Sequence, residues 1–312
     1  MKTGSANHDR ILAAARDWAG APMAIATVVE TWKSAPCPTG THMLVHADGR
    51  FVGSVSGGCV EADVLERAQM VLAGASAVLR RYGVADDAAW DVGLPCGGDI
   101  VVLVQPVSDL GFPESLFTDI FNARGNGATL SVLTDLATGR SIASDDAQTD
   151  GFVNVYYPPR RLLIVGAVEI AAALSAIAVS QGIDVTLCDP RGRFLTEDRF
   201  PGVRLDDRWP DDAVQAFAPD SRSAIVTLSH DPKIDDPALI AALASPAAYV
   251  AALGSVRSHQ ARLSRLSAAG ISAEQCARIE GPAGVAINAI SAPEIALSIA
   301  GGMIRAFNMG LR

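Results

Sequence analysis

Two cysteines framed by glycines are the residues of this chain best suited to chemistry. Cys59 lies in the segment SGGCVE at residues 56–61, and Cys96 lies in GLPCGG at residues 93–98. Glycine has no side chain, so the backbone beside each thiol can approach a ligand closely. Neither cysteine has a second thiol two or three residues away, which disfavours a zinc ribbon or a thioredoxin-like pair. The pattern therefore predicts a ligand pocket that presents thiolates.

The segment after Cys59 has the period of a helix. Apolar residues recur at spacings of three and four over residues 61–72, which is typical of a helix with one buried face. Cys59 would then lie at a helix N-terminus, where unpaired amides and the helix dipole stabilise a thiolate. Gly57 and Gly58 allow backbone donors to surround an anion such as a phosphate. We therefore expect a nucleophilic or metal-seeking thiol beside a phosphate-binding turn.

Cys96 precedes a predicted buried strand. Residues 99–104, DIVVLV, are mostly β-branched and apolar, so the thiol, Gly97 and Gly98 are expected at the entrance of that strand. An isolated cysteine is more often an inert buried residue. Two cysteines in glycine turns instead favour a shared functional role.

Length and composition are typical of a soluble α/β protein with two domains. The chain has 312 residues, of which 49% are hydrophobic and 19% are charged, and this length supports two cores without disulfides. The net charge of −9 disfavours nucleic-acid binding, which requires a basic surface. The apolar stretches are too short to span a membrane, and the N-terminus lacks an apolar signal segment. Five cysteines, an odd number, favour a reducing compartment, so we expect a cytoplasmic protein.

The first half predicts a mixed α+β domain over residues 1–140. Its predicted helices and strands do not follow the regular βαβ order of a parallel sheet. The expected helices lie at residues 7–18, 61–72 and 113–123, and the expected strands lie at residues 23–30, 43–46, 77–82, 100–106 and 129–134.

Residues 141–160 are predicted to be a linker. The sequence turns polar after Leu136 and contains the pair Pro158-Pro159. Proline has no amide hydrogen, so neither position can donate to a strand ladder. The second domain is therefore expected at residues 161–312.

The second domain opens with the order strand, helix, strand. A buried strand at residues 161–165 ends at Gly166, a helix follows at 169–181, and a second strand covers 184–189. This order is the βαβ unit of a Rossmann-like doubly wound sheet, so the predicted fold class is α/β. Asp189 ends the second strand at the position where a dinucleotide-binding domain holds a ribose hydroxyl.

The first turn of this unit matches a dinucleotide site poorly. Residues 166–169 read GAVE and lack the second glycine of the GxGxxG pattern. Val168 adds bulk and Glu169 adds negative charge where a pyrophosphate would approach the helix. Two interpretations stay open: a nucleotide-binding domain, and a doubly wound domain kept for packing and docking.

Polar loops follow two later predicted strands, at residues 223–228 and 249–253. His230 follows the first strand, and Ser255 and Arg257 follow the second. Ligands of open α/β sheets collect at such strand ends. His230 suits a metal ligand or a general base, or else a simple loop hydrogen bond. Ser255 and Arg257 suit an anion.

Taken together, these motifs resemble the XdhC/CoxI family of accessory proteins for molybdenum hydroxylases, along the whole chain. Three positions depart from the family: its Gly-Ala-Gly-His turn is GAVE here, its arginine after the first-loop proline is Cys37, and an acidic residue of the last helix is replaced by Gly301-Gly302. No role is carried over at those positions. The matching residues are Ser34, Pro36, Gly40, Gly57, Gly58, Cys59, Val60, Glu61, Gly93, Leu94, Cys96, Gly97, Gly98, Asp189, Arg191, His230, Asp231, Gly254, Ser255 and the segment 293–299.

The resemblance implies a chaperone for the molybdenum cofactor, either as molybdopterin or in its cytosine dinucleotide form. Such a protein protects the cofactor, supports exchange of an oxo for a sulfido ligand with a cysteine desulfurase, and delivers it to a molybdenum hydroxylase apoenzyme. A homodimer is also implied. We expect Cys59 and Cys96 at the molybdenum end, because thiolates suit a soft metal, with Glu61 orienting donors. The other expected cofactor contacts are Gly57, Gly58, Gly97, Gly98, Asp189, Arg191, His230 and Ser255.

Two other classes of function compete with this one. The first is an NAD(P)-dependent oxidoreductase in which Asp189 holds the ribose and a cysteine or His230 serves catalysis. The second is a docking protein that joins desulfurase and apoenzyme and binds no ligand. Whether the chain catalyses any reaction is left open, and a chaperone is favoured over an enzyme.

Overall fold

The structure is a computed structural model that describes residues 5–33, 35–83, 98–144 and 151–309. The chain divides into two compact units, Met1–Pro158 and Pro159–Arg312. In the described part of the chain, no helix is both long and apolar enough to span a bilayer.

The first unit is built on a five-stranded antiparallel sheet with strand order β3-β2-β1-β5-β4. Helix α2 packs on one face of this sheet, and helices α1 and α3 pack on the other. The elements are α1 Ser5–Asp17, β1 Met23–Trp32, β2 His42–His46, β3 Phe51–Gly53, α2 Glu61–Leu72, β4 Val78–Tyr82, β5 Asp99–Pro106 and α3 Glu114–Gly125.

Strand β1 is central because it is apolar on both faces. Ala26 and Val28 lie in the core cluster that includes α2, whereas Ile25 lies in the cluster that includes α1 and α3. Successive side chains of a strand point to opposite faces, so a continuous apolar run requires cover on both sides. This arrangement confirms the predicted mixed α+β fold of the first half.

A second, three-stranded antiparallel sheet has the order β7-β6-β8, where β6 is Leu130–Thr134, β7 is Ser141–Ala143 and β8 is Phe152–Tyr156. Two of these strands lie in residues 141–160, the segment expected to be a linker, and the units divide between Pro158 and Pro159. The linker prediction therefore differs from the structure over residues 141–143 and 152–156. The strand signal was hidden because Asn154, an inward-facing residue of β8, is polar.

Asn154 belongs to a buried polar network that ties β8 to the main sheet. His42 is buried, with its Nδ1 2.9 Å from Thr27 Oγ1 and its Nε2 2.8 Å from Tyr156 Oη. Asn154 Nδ2 and His8 Nε2 both lie near the Gly40 carbonyl oxygen, at 3.3 and 3.2 Å. Burial lowers the pKa of His8 to about 4 and the pKa of His42 well below its ordinary value. Both imidazoles are therefore neutral at physiological pH.

The second unit is a parallel sheet with strand order β11-β10-β9-β12-β13-β14. Helices α4 and α9 cover one face, and α5, α6 and α7 contribute to the core on the other. This arrangement confirms the predicted doubly wound α/β fold. The elements are β9 Arg161–Val165, α4 Glu169–Ser180, β10 Asp184–Cys188, β11 Arg204–Asp206, α5 Pro210–Phe217, β12 Ser223–Thr227, α6 Pro232–Leu243, β13 Tyr249–Ala252, α7 Val256–Ala268, α8 Ala273–Cys276, β14 Ile279–Glu280 and α9 Ala292–Met309.

Strand β9 lies between β10 and β12, so the chain order reverses beside it. In open parallel sheets, ligands bind at the carboxyl ends of strands at such a switch point. Gly166, Asp189 and Ser229 follow these three strands, and each begins a loop at that edge.

Candidate functional site

The loop before α2 folds around the carboxylate of Glu61. Its Oε1 accepts the amides of Val55 and Ser56 at 3.1 and 2.9 Å, and its Oε2 accepts the amides of Gly58 and Val60 at 2.9 and 3.2 Å. The hydroxyl groups of two loop residues, Ser54 and Ser56, also donate to this carboxylate. Successive amides that converge on one anion form a nest, and here the anion belongs to the protein itself.

The other amides of this loop bind its two serines. Gly57 N donates to Ser54 Oγ at 2.8 Å, and Cys59 N donates to Ser56 Oγ at 2.9 Å. The amides of Gly57 and Gly58 that were expected to receive a phosphate are therefore bound within the chain. Contact of these two glycines with a ligand stays a prediction.

Glu61 is held as a carboxylate by this network. Burial raises the pKa of Glu61, but hydrogen bonds from the Ser54 and Ser56 hydroxyls and from backbone amides outweigh it and lower the pKa to about 2. Glu61 is also the first residue of α2, and the preceding Val60 makes no side-chain cap. The negative charge at the first turn suits the positive end of the helix dipole.

Cys59 lies two residues before α2, at the helix start predicted from the sequence. It is half-buried and packs against the core cluster that contains Val60 and Val64. Because the amides on both sides of it are bound to Ser56 and Glu61, the backbone holds the thiol in one place. The loop thus positions Cys59.

Cys37 is a site residue that sequence reasoning missed. It lies between β1 and β2, and its Sγ donates to the carbonyl oxygen of Ser54 at a distance of 3.8 Å. Burial and the negative charge of Glu61 raise the pKa of the Cys37 thiol, and the amide of Gly57 works in the opposite direction. Its position between two prolines was a signal of a tight turn, but no local pattern connects it to residue 54.

The second glycine-framed cysteine, Cys96, lies outside the described residues, as does Gly97. Gly98 is described and buried, directly before β5. The structure therefore leaves the predicted pairing of Cys59 with Cys96 as a prediction.

In the second unit, Asp189 is bound on every side. Its Oδ2 accepts the Ala167 amide and the Arg191 guanidinium, both at 2.8 Å, and its Oδ1 accepts the Arg191 amide and Nε, both at 2.9 Å. Asp189 is 0% exposed. Burial raises the pKa of Asp189, but these hydrogen bonds outweigh it and leave the pKa below its ordinary value. A ribose hydroxyl could reach this carboxylate only by displacing its partners.

Two amides of the turn after β9 are also already bound. Asp189 occupies the Ala167 amide, and the Val168 amide donates to the Gly166 carbonyl at 3.0 Å. A Cβ on Gly166 would lie 2.8 Å from the Ser229 amide nitrogen, so the loops after β9 and β12 meet here. Glu169 opens α4 with a negative charge. These contacts weigh against dinucleotide binding at this turn.

His230 is exposed at the carboxyl end of β12. Its φ of 62° lies in the left-handed region, which is uncommon for a residue with a side chain. Asp231 caps α6 through Lys233 N at 2.9 Å, and Ser229 Oγ accepts the Asp231 amide at 3.1 Å. These contacts on both sides of His230 hold its backbone in this conformation and present the imidazole to solvent.

Asp235, which sequence reasoning also missed, supports this turn from inside. It is buried and accepts the Ser229 hydroxyl at 2.7 Å and the Ser229 amide at 3.3 Å. Burial raises the pKa of Asp235 above its ordinary value, although Ser229 and the charge of Arg262 oppose this. Arg262, also buried, donates to the Leu253 carbonyl at 2.7 Å beside Gly254 and Ser255.

Ser255 caps α7, since its Oγ accepts the Ser258 amide at 3.1 Å. Strands β12 and β13 are neighbours, so His230 and Ser255 follow adjacent strands of one sheet edge. Arg191 lies after β10 at the same edge, where the charge of Asp231 also acts on it. The structure thus places the four predicted residues of this unit, Asp189, Arg191, His230 and Ser255, at one edge. Within the described ranges, no group of three or more His, Cys, Asp or Glu side chains could hold a metal ion.

Two family models match the chain. Residues 162–303 match the XdhC Rossmann domain, and residues 18–83 match the XdhC and CoxI family.

Three known proteins are similar to this chain over most of its length. The molybdenum cofactor insertion chaperone PaoD of Escherichia coli is 30% identical over 285 residues, which cover 88% of this chain and 80% of PaoD. A protein of Bacillus subtilis described as a probable xanthine dehydrogenase component is 25% identical over 310 residues, covering 90% of this chain and 92% of that protein. A crystal structure described as a xanthine dehydrogenase from Bacillus halodurans has a TM-score of 0.79 at 23% identity and covers 99% of this chain and 96% of its own. This last likeness supports the fold.

Proposed function

Because this chain belongs to the XdhC and CoxI family, we propose that it is a molybdenum cofactor insertion chaperone. It binds the cofactor as cargo, protects it and delivers it to the apoenzyme of a molybdenum hydroxylase. The similarity to PaoD along most of both chains supports this function.

The observation that carries the proposal is the position of Cys59. Its partly exposed thiol follows a loop whose amides are all bound to Glu61, Ser54 or Ser56. A soft metal such as molybdenum prefers a thiolate ligand. A fixed thiol suits a protein that must hold a reactive cofactor in one orientation and then release it. Cys96 is proposed as the second contact of the molybdenum end.

The Glu61 network refines the role of the two glycines in this site. Gly57 and Gly58 have φ of 76° and 115°, and this left-handed conformation lets their neighbours turn toward the carboxylate. While Glu61 holds the loop closed, the cofactor phosphate has no free amide there. We therefore assign Gly57 and Gly58 to close approach of the cargo rather than to phosphate binding. Gly97 and Gly98 are proposed to allow the same approach beside Cys96.

In the second unit, His230 and Ser255 are the proposed contacts for polar groups of the cargo, in either its molybdopterin or its cytosine dinucleotide form. His230 projects an imidazole from a fixed turn, and Ser255 is exposed at the start of α7. Arg191 adds a partly exposed guanidinium that Asp189 orients. Asp189 itself is buried, so its proposed role is to position Arg191 and the Ala167 amide.

The further partners and setting are also proposals. Exchange of the oxo for the sulfido ligand requires a sulfur donor, for which we propose a cysteine desulfurase. A homodimer is supported by apolar side chains exposed on and before α9, among them Leu297 and Ile290. The free thiols suit the cytoplasm.

The test is to express the chain in a host that makes molybdenum cofactor, purify it, and quantify pterin by fluorescence after acid oxidation. We expect pterin with the parent and a large loss with Cys59→Ala or Cys96→Ala. Cys276→Ala is the matched control, because Cys276 is buried in the second unit. Equal pterin in the parent and both site variants would refute the thiol assignment. No pterin in any sample from a loading-competent host would refute cofactor binding and favour a ligand-free docking protein.

A further inference from the structure

The two described cysteines with solvent access share one loop, which carries Cys59 and is contacted by Cys37. Among the cysteines that the structure describes, Cys188 and Cys276 are buried, whereas Cys37 and Cys59 are partly exposed. Both of the exposed thiols pack against the same core cluster of the first unit, which contains Val55 and Val60. Their shared exposure sets them apart from the inert thiols of the second unit.

The contacts of Cys37 place its sulfur beside the loop that carries Cys59. Cys37 Sγ donates to the carbonyl oxygen of Ser54, the first residue of the loop, and the Gly57 amide is near enough to act on the pKa of the Cys37 thiol. Gly57 and Cys59 are two residues apart, so their Cα atoms are separated by no more than about 7 Å. The Cys37 sulfur therefore contacts this loop at its first residue, five positions before Cys59.

The segment that holds Cys37 is itself fixed to the sheet. Gly40 N donates to the Val28 carbonyl at 2.7 Å, and Thr41 Oγ1 donates to the Pro38 carbonyl at 2.6 Å. Cys37 is thus presented to the loop by a folded turn, and the negative charge of Glu61 acts on its thiol. A nearby negative charge disfavours a bare thiolate and favours one that is paired with a metal cation, and soft metals bind thiolate sulfur.

We propose that Cys37 is a further thiol of the Cys59 site and that the sulfurs of Cys37 and Cys59 together bind one soft metal centre. Under the function proposed above, on which the identity of the natural ligand rests, this centre is the molybdenum of the cargo. The site also takes Cd²⁺ alone, because thiolates bind soft metals without a pterin. Binding releases the thiol protons to water.

The first test measures the proximity of the two thiols in the full chain. A Cys96→Ser background removes the second glycine-framed thiol, and dibromobimane then cross-links thiols that lie close together. We expect one fluorescent adduct, which peptide mass spectrometry assigns to Cys37 and Cys59. Alkylation of both thiols by monobromobimane without any cross-link between them would overturn the proposal.

The second test measures metal binding by the thiolate charge-transfer absorbance of Cd²⁺ in the same background. Cys37→Ser and Cys59→Ser should each lower the affinity for Cd²⁺ at least tenfold. The matched control Cys276→Ser should bind Cd²⁺ as tightly as the Cys96→Ser background. At position 37, serine replaces the thiol donor to the Ser54 carbonyl with a hydroxyl donor, and thermal melting checks the fold of each variant. Unchanged Cd²⁺ affinity in a folded Cys37→Ser variant would overturn the proposal that Cys37 and Cys59 bind one metal together.

Pterin retention separates this proposal from the function on which it rests. Loss of pterin in both Cys37→Ser and Cys59→Ser, each made in the parent chain with Cys96 present, supports the pair as the molybdenum site. Loss of pterin in Cys59→Ser alone overturns the role proposed for Cys37, while the proposed chaperone function still holds. Parent-like pterin in both variants overturns the pair as the cargo site, and absence of pterin from the parent overturns the chaperone function itself.

Discussion

Glu61 holds Ser56 through both of its carboxylate oxygens. Oε1 accepts the Ser56 amide at 2.9 Å and Oε2 accepts the Ser56 hydroxyl at 2.5 Å. Ser56 Oγ in turn accepts the amides of Cys59 and Val60. One carboxylate therefore controls both the loop and the position of its thiol.

Replacing Glu61 by alanine is expected to lower the free energy of unfolding by roughly 2–4 kcal/mol, because several buried donors lose their acceptor. Urea denaturation of the full chain measures this change. The alkylation rate of Cys59 should rise as the loop is released. Glu66→Ala is the control, since Glu66 is exposed on the same helix. Equal stability of the two variants would contradict the role given to Glu61.

Glu61 should also make stability depend on acid pH. Its pKa is lowered from 4.5 to about 2 in the folded chain, so the unfolded chain binds the proton more readily. The stabilisation is complete above pH 4.5 and is lost as the pH falls toward 2. Denaturation midpoints measured across this range should fall less steeply for Glu61→Gln than for the parent. Parallel pH profiles would disprove the assignment.

His8 should impose a second pH dependence at higher pH. Its folded pKa is lowered from 6.5 to about 4, so acid favours the unfolded chain, and stability falls as the pH drops from 6.5 to 4. The loss reaches at most about 3 kcal/mol. His8→Gln should flatten the stability profile in this window, whereas His230→Gln, at an exposed position, should leave it unchanged. Identical slopes for the two variants would count against a buried neutral His8.

Gly302 is expected to tolerate no side chain. A Cβ there would lie 2.4 Å from Glu280 Oε1 and 2.8 Å from Tyr249 Oη, which are themselves hydrogen-bonded at 2.6 Å. Gly302→Ala should therefore cost about 1–3 kcal/mol through overpacking. Gly301→Ala is the matched control, because a Cβ there would meet a single methyl group of Val285 at the longer distance of 3.2 Å. Thermal melting compares the two, and a control variant that melts below Gly302→Ala would contradict the packing of α9.

Nicotinamide cofactors are expected not to bind. Asp189 is buried against Arg191 and the Ala167 amide, so a ribose would have to displace these partners, and the Ala167 amide is not available to a pyrophosphate. Titration with NADH and NADPH, followed by cofactor fluorescence and by protein melting, should show no saturable change. Saturation at micromolar concentration would refute this interpretation and revive the oxidoreductase hypothesis.

Much of the fold follows from periodic patterns in the sequence. The apolar runs of β1 and β9 and the three-and-four spacing of α2 predicted these elements, because each pattern reports which faces must be buried. Strand β8 was missed because its buried positions include Asn154, whose partners His42 and Gly40 are more than 110 residues away in the chain. A polar residue with a distant partner looks like a loop residue when only its neighbours are known.

The sequence by itself determined that Cys59 stands before a helix behind two glycines, and that Asp189 ends the second strand of a βαβ unit. Only the tertiary structure decided what those residues contact. Glu61 fills the turn that was expected to bind phosphate, Asp189 faces Arg191 instead of solvent, and Cys37 reaches Ser54 across 17 positions. The physical reason is that hydrogen-bond donors are satisfied by whichever acceptor the fold brings nearest, and spacing along the chain does not record that acceptor.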